Sequence, residues 1–151
     1  SSRVRKSPTF TLNQFGLSVL KISEKAGYGI IVRMPLQFGL LTGKFDGGVT
    51  FPDNDHRKKR ITPEIVDACA EALSSVWELC NKYKCSKTEL ALSYILSYPA
   101  VSVIIPGIRT ENHVQNNTSG LFRLEESDMK LIEELGRTGL LPVMEKIQQQ
   151  G

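Results

Sequence analysis

Two stretches of the chain carry residue types that bind anions. The first is Met34-Pro35-Leu36-Gln37-Phe38-Gly39-Leu40-Leu41-Thr42-Gly43-Lys44. It follows the β-branched run Gly29-Ile30-Ile31-Val32, which reads as a strand buried on both faces. Its glycines let backbone approach a ligand closely, and exposed backbone N–H groups suit phosphate oxygens. The second is Val103-Ile104-Ile105-Pro106-Gly107-Ile108-Arg109-Thr110, running on to His113, Asn116 and Asn117. Here another strand breaks at Pro-Gly, and a helix opens with Thr110 as its cap. A helix N-terminus offers free N–H donors and partial positive charge, and the arginine fork beside it matches a phosphate bidentately. His113 and Asn117 stand four apart, on one helical face. A ring that stacks or donates, with an amide nearby, suits an adenine edge. Taken singly, the first stretch also fits a structural turn, and the second a capped helix with a solvated arginine.

The other chemistry-bearing residues fit bland roles. Cys69, Cys80 and Cys85 form no CxxC pair, and neither His56 nor His113 has ligand neighbours at metal spacing, so no zinc site or disulfide framework is expected. Cys69 and Cys80 fall on an apolar stripe, as small buried hydrophobes. Reduced thiols point to a cytoplasmic location. Tyr28, Tyr83, Tyr94, Tyr98 and Trp77 read as packing residues. The run His56-Arg57-Lys58-Lys59-Arg60 reads as a solvated polar loop ahead of a helix. With no aromatic interleaving and a net charge of only +3 over 151 residues, nucleic acid is not expected as a partner. No apolar run is long enough to span a bilayer, so no membrane partner is expected.

The elements that must position these residues follow from periodicity and punctuation. Apolar Leu12, Phe15, Val19 and Ile22 predict a helix over 12–25, ended by Gly27. Residues 34–60 form one long connection of the kind that is often functional. Thr62-Pro63-Glu64 opens a long amphipathic helix through Ile65, Cys69, Leu73, Val76, Cys80 and Tyr83. Ser86-Lys87-Thr88-Glu89 is a capping box for the next helix, which Pro99 ends. Val101–Ile105 is the second strand, followed by helices over about 110–119 and 125–135 and a tail at 138–151. Strands alternating with helices mean a parallel sheet. Two such strands leave apolar faces uncovered, so this α/β chain is expected to be one partial domain over 1–151, a piece of a larger sheet or barrel. Residues 1–11 read as loop, as though the chain began inside something larger. Self-association through the uncovered faces is expected.

The two anion-binding stretches together resemble the aldo-keto reductase family. The first is similar to that family's loop after the seventh barrel strand, Ser-Pro-Leu followed by Gly, Leu, Thr, Gly and Lys. The second is similar to its Ile-Pro-Gly-x-Arg-x-x-x-Gln-x-x-x-Asn after the eighth strand. Thr88-Glu89-Leu90-Ala91-Leu92-Ser93-Tyr94-Ile95-Leu96 resembles a family helix between them, and Phe51-Pro52-Asp53-Asn54-Asp55-His56-Arg57 a loop of one of its branches. The resemblance covers about residues 14–137. It implies the C-terminal part of a TIM (β/α)8 barrel and an NADP(H) cofactor. Pro35, Leu36, Gly39, Leu40, Thr42 and Lys44 would line the pyrophosphate side. Pro106, Gly107, Ile108 and Arg109 would hold the 2′-phosphate, with His113, Asn116 and Asn117 at the adenine. Met34, His113 and Asn116 depart from the usual serine, glutamine and acid. The family's catalytic Asp, Tyr, Lys and His have no matching position here. The resemblance therefore implies the cofactor-binding part of an oxidoreductase that interconverts carbonyls and alcohols, inactive by itself. The alternative is a non-catalytic nucleotide- or protein-binding module on the same fold.

Overall fold

The computed structural model describes residues 14–45 and 48–149. The expectations for residues 1–11 and for Leu12 lie outside them. The elements run α1 Gln14–Lys25, β1 Ile30–Arg33, a 3-10 turn Gln37–Thr42, α2 Arg57–Arg60, α3 Pro63–Ala72, α4 Ser74–Tyr83, α5 Lys87–Leu96, β2 Val101–Ile105, α6 Glu111–Thr118 and α7 Glu126–Leu135. A π-helical turn at Gly136–Leu140 leads into α8 Leu141–Gln149, so the tail is helical.

β1 and β2 pair in parallel, with Ile30 beside Val101 and Arg33 beside Ile105. Side chains alternate across a strand. One face of the pair sends Ile30 and Val32, 2% and 0% exposed, into the core, with Ile104 packed against it. The other face carries Ile31, Arg33, Val103 and Ile105. Val103 and Ile105 are 48% and 53% exposed, so these strands are not buried on both faces. Among the described residues nothing covers that second face, as expected of two strands taken from a larger sheet.

The core lies between the buried strand face and the helices. Leu90, Ala91, Tyr94 and Ile95 of α5 meet Leu73, Val76, Leu79 and Ile132 there. The single helix expected from Thr62 to Tyr83 is broken at Leu73, whose φ −97°, ψ 1° leave the helical region. The bend keeps Leu73 buried at the corner and lets Ile65 and Cys69 on one side, Val76 and Leu79 on the other, follow the core surface. In α1, Leu20 and Ser23 are buried and Ile22 is exposed, because the helix has apolar residues on two faces and only one meets the core. Tyr28, expected to pack, is likewise exposed in the turn before β1. The other tyrosines and Trp77 do pack.

The caps read from the sequence are present. Ser86 and Glu89 form the reciprocal capping box, and Thr62 caps α3. Polar side chains of α5 then anchor the chain segment ahead of α7. Buried Ser93 accepts the Phe122 N–H at 3.1 Å, and Ser97 Oγ accepts the Leu124 N–H at 2.9 Å. At the same junction Lys82 reaches Asp128 at 2.7 Å and Glu125 at 2.8 Å, while the Tyr83 hydroxyl donates to Asp128. Burial works against the charged Asp128, but the Lys82 and Tyr83 hydrogen bonds outweigh it and hold its carboxyl below the ordinary range. Ser93→Ala would leave the Phe122 N–H buried without a partner. It is expected to lower unfolding free energy by about 1–3 kcal/mol, read by denaturant titration, with nucleotide affinity unchanged.

Candidate functional site

The chain leaving β1 turns sharply. Met34, Gln37 and Phe38 take φ of 53°, 46° and 57°, and Gly39 takes 100°. Non-glycine residues with positive φ are uncommon, and such strain persists only where surrounding structure holds it. The hold is visible. The Gln37 N–H donates to Met34 O at 3.1 Å, Gly39 N–H to Leu36 O at 2.9 Å, and Thr42 Oγ1 to Gly39 O at 2.6 Å. Gly39's φ favours glycine, and a Cβ there would lie a tight 3.1 Å from the Phe45 ring, which would have to shift slightly.

The chain leaving β2 forms the expected cap. Thr110 Oγ1 accepts the His113 N–H at 3.2 Å at the start of α6. The Arg109 N–H donates to His113 Nδ1 at 3.2 Å. Asn117 is buried, and its Nδ2 donates to the Gly107 carbonyl at 3.4 Å. The amide expected at an adenine edge therefore spends one donor on holding the Pro-Gly turn.

Both turns border one cleft of about 440 Å³. Of the residues singled out in the sequence, Pro35, Leu36, Gly39, Thr42, Lys44, Gly107, Arg109, His113, Asn116 and Asn117 line it. Leu40 packs toward the core instead, and neither Pro106 nor the exposed Ile108 is on the wall. Among the described residues no carboxylate lines the cleft, whereas Lys44, Arg57 and Arg109 do. The charged side chains on the wall of this concave site are therefore all basic.

His56 and Arg57 on that wall were missed. Their run forms the single turn α2 rather than a loop; His56, Lys58 and Lys59 are solvated as expected, whereas Arg57 is half-buried. Asp55 Oδ1 accepts the Arg57 backbone N–H at 2.9 Å, and its two oxygens receive Arg57 Nε at 3.0 Å and Nη2 at 2.5 Å. The Arg57 guanidinium sits 4.7 Å from the centre of the Phe51 ring, and the His56 ring meets Phe38 edge-on at 5.6 Å. Hydrogen bonds from Arg57 hold the Asp55 carboxyl well below the usual carboxylate range. The signal in the sequence was the Asp-x-Arg spacing behind an aromatic, which turns one charge of the run back onto the protein.

A parallel strand pair backed by helices, with a cation-lined cleft where both strands end, is one sector of a βα barrel. The sequence model of the aldo/keto reductase family matches residues 12–137, and the chain belongs to that family. It is 27% identical over 120 residues to an L-glyceraldehyde 3-phosphate reductase of Escherichia coli, which covers 76% of this chain and 35% of the relative. It is 25% identical over 112 residues to a protein of Arabidopsis thaliana named as a probable voltage-gated potassium channel subunit beta, with 72% of this chain and 34% of that one covered. The solved glycerol dehydrogenase of Gluconobacter oxydans superposes with a TM-score of 0.73 at 19% identity, over 92% of this chain and 43% of that one. The last likeness carries the fold. The chain thus spans about a third of the length of the curated relatives it matches. Among the described residues no helix is long and apolar enough to cross a membrane, and no cluster of His, Cys, Asp or Glu could hold a metal ion.

The Asp55–Arg57 pair makes α2 part of the wall. Asp55→Asn is expected to loosen it, so that limited trypsin digestion cuts between Arg57 and Arg60 several-fold faster than in the wild type. An unchanged cutting rate would mean the aromatic contacts alone hold the turn.

Proposed function

We propose that this chain holds the adenine-phosphate half of NADP(H) for an oxidoreductase that interconverts carbonyls and alcohols. One observation carries the reading: Arg109 and Lys44, from the ends of two adjacent parallel strands, line a single cleft free of carboxylates. Arg109 is exposed, and among the described residues it makes no ion pair, so its planar fork is available for a terminal phosphate. In this reading Arg109 takes the 2′-phosphate. Gly39, Thr42, Lys44 and Arg57 take the pyrophosphate, Asn116 and Asn117 border the adenine, and His113 stands between the adenine and the 2′-phosphate. The buried Asn117 amide keeps the Gly107 turn in place for that contact.

The cofactor supplies the hydride, and a protein of this kind supplies placement and a proton donor. None of the four tyrosines here lines the cleft. Burial pushes the Tyr94 and Tyr98 hydroxyls upward, and the Tyr98 hydroxyl donates a hydrogen bond to Glu133 at 2.7 Å. These hydroxyls are structural, so the acid is assigned to a part of the protein outside this chain. By itself the chain would grip the nucleotide without turning it over.

A second reading, a non-catalytic nucleotide- or protein-binding module, is favoured by the likeness to the Arabidopsis protein named as a channel subunit. Both readings share the grip; turnover of a carbonyl substrate by the protein separates them. Arg109→Ala is expected to weaken NADPH binding by about 10- to 100-fold, the loss of a charge-assisted contact of about 1.5–3 kcal/mol. NADH affinity should stay within about twofold. Fluorescence titration of both cofactors reads this directly, and an equal loss for the two would remove Arg109 from the 2′-phosphate.

A further inference from the structure

We infer that His113 makes the grip on the 2′-phosphate depend on pH, serving as a second cation beside Arg109 in acid and as a neutral donor above it. The inference rests on the cofactor reading of the cleft and adds a regulation of that site. The observation behind it is the hydrogen bond from the Arg109 N–H to His113 Nδ1, at 3.2 Å. An imidazole nitrogen that accepts is unprotonated, so the neutral ring carries its proton on Nε2. The ring is half-buried on the cleft wall and attached to the same turn as Arg109, one helical turn from the α6 cap. Arg109 and His113 line the same cleft, so an anion held there faces both residues.

Two effects compete when the ring gains a proton. The Arg109 N–H loses its acceptor, since Nδ1 then carries hydrogen. Against that, a bound phosphate gains a full positive charge within the cleft. The hydrogen bond is exposed, and water can replace His113 as the acceptor. A charge on the ring would face a phosphate dianion across the cleft that both residues line, a charge–charge attraction set against one replaceable hydrogen bond. The second effect is the larger, so phosphate binding favours the protonated ring. By linkage, acid then favours phosphate binding. The neighbouring groups set the baseline. From the β1 side, Lys44, His56 and Arg57 line the same cleft, with Asp55 committed to Arg57. From its own turn come Arg109 and the exposed Glu111, and α5 contributes only the neutral Thr88. A glutamine at this position would donate equally at every pH.

The test uses adenosine 2′,5′-bisphosphate and 5′-AMP, which differ by the 2′-phosphate alone. Calorimetry on the wild type, His113→Gln and His56→Gln would cover pH 8 to pH 6, where an imidazole gains its proton. Melting curves confirm that the variants are folded. The ligand's own phosphate also titrates there, so each profile is divided by that of His113→Gln. The preference for the bisphosphate over AMP is expected to rise about three- to tenfold toward pH 6 in the wild type and in His56→Gln, relative to His113→Gln. Bisphosphate binding should also take up more protons in the wild type than in His113→Gln, read from the dependence of binding enthalpy on buffer ionisation. Parallel profiles with equal proton uptake would overturn the inference, as would a flat profile in His56→Gln, which would move the effect to that ring. Bisphosphate bound no better than AMP at any pH, by any of the three proteins, would instead remove the cofactor reading and this inference with it.

Discussion

The cleft depends on one backbone pairing, the parallel register that sets Arg33 beside Ile105. Because both strands run the same way, the loops that leave them emerge at the same edge, and only there can Lys44 and Arg109 share a wall. The register is not uniform. A bulge between Ile30 and Ile31 skips Ser102, so Ile30 faces Val101 while Ile31 faces Val103. The approach at the start of the pair is close: a Cβ on Gly29 would lie 2.2 Å from Ser102 Oγ, so that hydroxyl would have to turn away. A slip of one residue would exchange the core face for the open face along the whole strand. The burial of Val32 thus specifies, through the backbone, which residues reach the cleft.

The helices and strands were legible because each announces itself locally. Ser86 and Glu89, Thr62 and Pro63, and Thr110 are capping chemistry that needs no tertiary context, and each caps where the sequence says it should. The break at Leu73 was not legible. The apolar spacing from Ile65 to Tyr83 continues unbroken through it, and the bend answers the curvature of a core contributed by distant residues. Ile22 fails for the same kind of reason. An amphipathic pattern says that a face is apolar, and says nothing of whether another element covers it.

The cleft was half legible. Glycine and proline at a strand end, or an arginine beside a helix cap, are signals of composition, and they placed most of the wall. Arg57 was hidden because its context is tertiary. Within a run of like charges each residue seems solvated, until Asp55 folds back on the backbone N–H and the guanidinium together, and Phe51 comes to lie beneath. Leu40 and Ile108 erred in the opposite direction. Both stand among wall residues in the sequence, but the alternation of the turns sends one toward the core and the other to solvent.

Stability and binding occupy different sides of the same two strands. Ile30, Val32 and Ile104 are tied to the helices, where close-packed apolar side chains hold the pair rigid. The cleft side contains what packing would not choose: positive φ at Met34, Gln37 and Phe38, a buried amide at Asn117, and cations gathered without a carboxylate on the wall. Each of these opposes folding, through strain, desolvation or like-charge repulsion. They coexist because the rigid side fixes the strand ends, and the turns have only short spans to hold. An anion in the cleft would relieve the charge repulsion and leave the strain and the buried amide to the scaffold. In the cofactor reading, ligand binding would therefore couple to fold stability chiefly through electrostatics, with little call on the apolar core.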